Sequence, residues 1–181
     1  LGKYMLVFFG YTYCPDICPT ELQVMSAALD QLGLEADRIQ PIFVSIDPAR
    51  DTPEVLKAYV ANFGPRLIGL TGTQEQITAA ETAYRVYAKK VTDDKSSAGY
   101  TFDHTSLMYL MDPKGDYVAH FTHATPVERI VERNALSPAA ALRRPTAAGV
   151  RKTNKKQPIW SCYFLEGEGE TKVYKLTSRV H

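Results

Sequence analysis

Two cysteines four positions apart, Cys14 and Cys18, sit in the run Phe8-Phe9-Gly10-Tyr11-Thr12-Tyr13-Cys14-Pro15-Asp16-Ile17-Cys18-Pro19. An apolar stretch, Tyr4 to Phe9, leads into them and an amphipathic pattern follows at once. If Cys14 ends a loop and Cys18 lies in the first turn of the following helix, both sulfurs face one side. The positive end of that helix favours a negative group and should lower a thiol pKa from about 8.5 toward neutrality. A thiolate formed there can exchange disulfides or bind a soft metal. The plain alternative is a pair of buried small hydrophobes. Two prolines and an aspartate around the pair argue instead for an exposed, shaped loop. The spacing is one residue longer than the usual C-x-x-C redox pair, yet a disulfide remains feasible if the Cα atoms approach within about 7 Å. Two thiolates alone could hold Cu(I), and a third ligand would hold copper in both oxidation states.

His104 is the candidate for that third ligand. It follows Asp103 at the end of a polar loop and directly precedes a predicted strand, Thr105–Met111. An isolated histidine is more often hydrogen-bonded or exposed. Its place in the predicted topology, beside the cysteine loop, favours the ligand role. Two sulfurs and one imidazole suit copper, with zinc as competitor, and Asp103 could orient the ring. His120 and His123 read as surface residues. Asp47, Arg50 and Asp51 follow a buried strand, where helix capping and an Asp–Arg loop network account for them. Tyr11 and Tyr13 flank the site, to shield it or simply to pack. Cys162 lies far from the pattern.

These residues need a scaffold. Tyr4–Phe9 and Ile39–Ile46 read as strands buried on both faces. Leu22, Met25, Ala28, Leu29 and Leu32 form the stripe of a first helix, and Gly33 is its C-cap. Thr52 and Pro53 open a second helix with Leu56, Tyr59, Val60 and Phe63 inward. Leu67–Leu70 is a short strand. Thr73 and Gln76 match a capping box opening a third helix, with Ile77, Ala80, Tyr84 and Tyr87 on one face. Val91 to Phe102 reads as an exposed loop. Thr105–Met111 and Tyr117–Phe121 form a hairpin across Asp112–Asp116. Thr125-Pro126-Val127-Glu128 starts a last helix. The order β-α-β-α-β-α-β-β-α predicts an α/β domain, a thioredoxin-like mixed sheet flanked by helices with one extra helix and strand of the peroxiredoxin type.

The 181 residues suffice for one domain with a substantial core. The net charge of +1 suggests no strong attraction to nucleic acid or membrane, but it is unevenly spread. Residues 1–136 carry 12 Lys and Arg against 17 Asp and Glu, whereas residues 137–181 carry 9 against 3. An acidic domain over 1–136 is thus followed by a basic tail over 137–181 without apolar period, read as disordered or as a weak hairpin of Ile159–Leu165 with Thr171–Leu176. Three cysteines are too few for a disulfide framework at this size. No apolar run approaches the roughly 18 residues of a membrane span. The start at Leu1 reads as truncated, with an anchor or export signal expected upstream.

Tyr13-Cys14-Pro15-Asp16-Ile17-Cys18-Pro19, Ser45-Ile46-Asp47-Pro48-Ala49-Arg50-Asp51-Thr52-Pro53 and Asp103-His104-Thr105-Ser106 resemble the Sco/SenC family, as does the interval of 86 residues between Cys18 and His104. The likeness covers about residues 1–136. It implies a membrane-tethered, thioredoxin-fold copper protein that helps build the dinuclear copper (CuA) centre of cytochrome c oxidase. Cys14, Cys18 and His104 match the family's copper ligands. The implied partners are the copper-accepting subunit of the oxidase and other copper chaperones. The implied place is the periplasmic side of a bacterial inner membrane, or the intermembrane-space side of the mitochondrial one. Against the family, this sequence is expected to lack the N-terminal anchor and first hairpin, which would lie upstream of Leu1. An enzymatic alternative, a thiol–disulfide oxidoreductase or thiol peroxidase, uses Cys14 and Cys18 as a redox-active pair and leaves His104 incidental; a redox sensor would use the same pair.

Overall fold

A computed structural model describes residues 2–92, 99–134 and 173–175. Strand β1 (Tyr4–Gly10) is buried at consecutive positions from Met5 onward, whatever their parity. Such a strand must be covered on both faces of its sheet. It pairs in parallel with β2 (Ile39–Ser45), which pairs in parallel with β3 (Ile68–Thr71). Pro41 lies one residue before β2 gains β3 as a neighbour, so its missing N–H removes no bond from that ladder. On its other side β1 pairs antiparallel with β6 (Leu107–Met111), and β6 with β7 (Tyr117–Thr122). The central sheet is therefore mixed, with order β7-β6-β1-β2-β3-β8, where β8 is Val173–Lys175. This is the expected thioredoxin-like α/β architecture.

The helices follow local chemistry. Helix α1 (Ile17–Leu32) buries Cys18, Leu22, Met25, Ala28, Leu29 and Leu32 along one stripe. Gly33 ends it at φ 54°, a conformation that suits glycine. Helix α2 (Pro53–Val60) is capped by Thr52, whose hydroxyl oxygen accepts the Val55 N–H at 3.3 Å. Helix α3 (Gln74–Tyr84) opens on the predicted capping box, with Gln76 and Thr73 bonded reciprocally. Helix α4 (Val127–Asn134) packs against α1 and buries Ile130.

Three elements depart from the sequence reading. The expected loop Val91–Phe102 is instead part of an antiparallel pair, β4 (Ala88–Thr92) with β5 (Tyr100–His104), separate from the main sheet. The polar run 93–98, outside the described residues, masked the β-formers Val91, Thr92, Tyr100, Thr101 and Phe102 on either side. Strand β6 begins at Leu107, not Thr105, so His104 closes β5 rather than preceding β6. Tyr87 leaves the α3 face because Arg85 turns left-handed at φ 55°, and Tyr87 stands 53% exposed. From the tail, β8 (Val173–Lys175) pairs in parallel with β3. Cys162 and the expected strand 159–165 lie outside the described residues.

Candidate metal centre

Two stretches of chain 86 residues apart meet at the carboxyl end of β1. The loop after β1 carries Cys14, the first turn of α1 carries Cys18, and the end of β5 carries His104. Their ligand atoms all lie within 4.8 Å of one another, the one such group of three among the described residues. Cys18 is fully buried and Cys14 partly exposed. The Cys18 sulfur stands 3.7 Å from His104 Nε2. A trigonal ion with bonds of about 2.3 Å to sulfur and about 2.0 Å to nitrogen would separate two such donors by about 3.7 Å.

Asp16 precedes α1 without donating a side-chain cap. Cys14 does that work: its sulfur accepts the Cys18 N–H at 3.4 Å. Donation from the Cys18 thiol holds Cys14 far below the ordinary thiol range, against the effect of its burial. The backbone N–H groups of Cys18 and Asp16 add to that pull. Cys18 moves the opposite way, pushed up first by its hydrogen bond to Cys14 and then by burial. In the metal-free reduced protein Cys14 is the thiolate and Cys18 the thiol. The lowering expected for the pair thus falls on Cys14 alone, and its chief cause is the neighbouring thiol, with the N–H groups at the helix start a smaller one.

The imidazole is preset. His104 Nδ1 lies 3.0 Å from the Thr105 carbonyl oxygen. A carbonyl can only accept, so Nδ1 carries the proton and Nε2 presents its lone pair to the sulfurs. Thr105, not Asp103, therefore orients the ring. Asp103 is exposed and lies opposite Lys89 in the β4–β5 register. Tyr11 and Phe8 approach the imidazole edge-on, at 5.9 and 6.5 Å between centroids.

Several supports were not legible in sequence. Gly10 matters for what it lacks: a Cβ there would lie 2.7 Å from the Cys18 sulfur and 2.9 Å from Phe43. A glycine closing an apolar strand just before the cysteines was the available signal. Asp51, fully buried, accepts from Thr12 N at 3.1 Å, Thr12 Oγ1 at 2.6 Å and Ser45 Oγ at 2.5 Å. It staples the cysteine loop to the end of β2. Helix capping at this loop belongs to Thr52, while Asp47 does pair with Arg50 as expected. Tyr11 is buried, and its hydroxyl oxygen accepts the Phe102 N–H at 3.3 Å; Tyr13 is 55% exposed. His120 is exposed beside Tyr117, as predicted. His123 is half exposed but bonds buried Glu21 at 2.6 Å, tying the turn before α4 to α1.

The set can bind a soft or borderline cation through two sulfurs and one nitrogen, and the sulfurs can exchange two electrons as dithiol and disulfide.

Comparison with known proteins places this geometry. The SCO1/SenC family model matches residues 1–136. The SCO2-like protein of Rickettsia felis is 41% identical over 131 residues, 72% of this chain and 64% of that protein. The human mitochondrial SCO1 homolog is 42% identical over 123 residues, 67% of this chain and 40% of that one. The chain thus spans less than two thirds of the length of these curated relatives. Copper-bound ScoI of Bradyrhizobium japonicum superposes with a TM-score of 0.68 at 46% identity, over 74% of this chain and 84% of that one. Copper-bound ScoI of Arabidopsis thaliana gives 0.68 at 40% identity, over 73% and 81%. With the family model covering three quarters of the sequence and the cysteine–histidine cluster inside the matched segment, this chain belongs to the SCO1/SenC family.

Proposed function

We propose that the chain is a copper chaperone: Cys14, Cys18 and His104 bind Cu(I), and Cu(II) with a further weak ligand, for assembly of the CuA centre of cytochrome c oxidase. The observation that carries this reading is the convergence of two sulfurs with an imidazole nitrogen whose other nitrogen is already engaged. Copper-bound relatives share the fold, and soft sulfur donors select copper over hard cations. The acceptor is the copper-receiving subunit of the oxidase, with other copper chaperones as suppliers.

The two sulfurs divide the work. Cys14 is the more exposed and the more acidic, so a partner thiolate can displace it first. Cys18, buried and held against His104, would release last. When metal-free, the pair can oxidise to a disulfide. It can also lose two electrons to a partner disulfide, leaving that partner as two thiols ready for copper.

No described helix is long and apolar enough to cross a membrane. The relatives include mitochondrial proteins and a Bacillus anthracis lipoprotein. We infer by that kinship that this domain works at a membrane surface, on the periplasmic or intermembrane-space side, through a segment upstream of Leu1.

Replacing His104 with Ala tests the reading against the oxidoreductase alternative. Copper affinity should fall by more than the roughly 10–100-fold that loss of an outer-sphere partner costs, while thiol–disulfide exchange with a model disulfide should persist. Unchanged affinity in a Cu(I) competition titration would remove the copper reading.

A further inference from the structure

His104 sits on a strand that the main sheet does not hold. Among the described residues, strands β4 and β5 pair only with each other, so side chains set their register to the cysteine loop. Tyr100, Phe102 and His104 alternate onto one face of β5. The start of that face is gripped by the loop after β2. Arg50 Nη1 donates to the Tyr100 carbonyl at 3.1 Å, and the Tyr100 hydroxyl donates to Asp47 Oδ1 at 3.0 Å. The Arg50 guanidinium carbon lies 3.6 Å from the Tyr100 ring centroid, and the Asp47 carboxylate holds that guanidinium in place. The same guanidinium lies 4.7 Å from the Tyr13 ring, next to Cys14. Asp47 and Arg50 are both largely buried, which strengthens charge-assisted bonds.

We propose that Asp47, Arg50 and Tyr100 form a clamp that positions His104 for the metal. This rests on the copper reading given above. These are positioning residues: none belongs to the ligand cluster. The physical logic is leverage. A strand advances about 3.3 Å per residue, so fixing Tyr100 four positions upstream sets both the facing and the reach of the imidazole. Without the clamp, the β4–β5 pair keeps its own ladder but loses its anchorage to the β2 loop. The sulfurs remain and the nitrogen drifts. Because Arg50 recognises a carbonyl and a ring face together, Lys is not its equivalent.

A double-mutant cycle isolates the effect. Cu(I) affinity is measured by chelator competition for the wild type, Tyr100→Ala, His104→Ala and the double variant, with Arg50→Lys and Tyr100→Phe alongside. The electron-paramagnetic signal of the Cu(II) forms reports nitrogen coordination. Tyr100→Ala should weaken copper roughly tenfold or more, reduce the nitrogen signature, and have less than about a twofold effect once His104 is Ala. Tyr100→Phe, which keeps the ring, should lose less. An equal loss with and without His104 would show action through the cysteines or the fold and overturn the proposal, as would no loss at all. If His104→Ala itself leaves affinity intact, the ligand assignment fails first, and that result is distinct from a clamp that does nothing. Tyr100 lies on the peripheral pair, so its replacement tests the clamp even if an Arg50 variant fails to fold.

Discussion

Replacing Gly10 with Ala should damage the metal centre through a single added carbon. The new Cβ would fall 2.7 Å from the Cys18 sulfur, 2.9 Å from Phe43 Cε2 and 3.3 Å from Phe8 Cε1. All three neighbours are fully buried, so none can rotate into solvent. Relief requires a shift of roughly half an ångström or more, shared between the sulfur and the Phe43 ring. Overpacking of this kind costs about 1–3 kcal/mol of stability. Metal–ligand distances tolerate only about 0.2 Å, so the sulfur shift should also weaken Cu(I) binding by roughly tenfold, or about 1.4 kcal/mol. A matched control exists in Gly69, where a Cβ would meet Leu56 Cγ at 2.8 Å, within the β3–α2 packing and away from the ligands. Gly69→Ala should lower the unfolding midpoint comparably and leave copper affinity alone. Thermal unfolding and Cu(I) competition on both variants separate the two costs. If Gly10→Ala binds copper as tightly as Gly69→Ala does, the bare position at 10 does not set where the sulfur sits.

Two further predictions concern protons. In the reduced, metal-free protein, Cys14 is acidic down to about 4, chiefly because the Cys18 thiol donates to it. Iodoacetamide should therefore modify Cys14 across acidic pH, where an ordinary thiol of pKa about 8.5 stays silent, and peptide mapping should find Cys18 spared until the protein is unfolded. Preferential labelling of Cys18 would reverse the assignment. The second concerns Asp51, whose carboxyl burial holds above the ordinary carboxylate range while Ser45 and Thr12 pull the other way. A pKa raised by folding favours the native state most below the unfolded value of about 3.9, and that contribution is lost as pH climbs through the folded value. The stability of wild type relative to Asp51→Asn should accordingly be greater at about pH 4 than at about pH 8. Denaturant titrations at both values check it, and a margin that grows with pH contradicts it.

What the chain alone determined was whatever depends on near neighbours. Strand β1, the α1 stripe, the Thr52 and Thr73 caps and the Gly33 stop follow from alternation, helical period and end chemistry, each within a few residues. Cys14, Cys18 and His104 were legible from their types, their spacing and the motifs around them. Tertiary structure decided what depends on residues far apart. The pairing of β4 with β5 spans a polar run whose composition points to a loop. Asp51 reaches Thr12 across 39 positions, Tyr11 reaches Phe102 across 91, and Arg50 reaches Tyr100 across 50. Which sulfur ionises depends on which thiol donates to the other, here Cys18 to Cys14. The imidazole is aimed by a backbone carbonyl, a group that every residue carries and that no sequence pattern distinguishes.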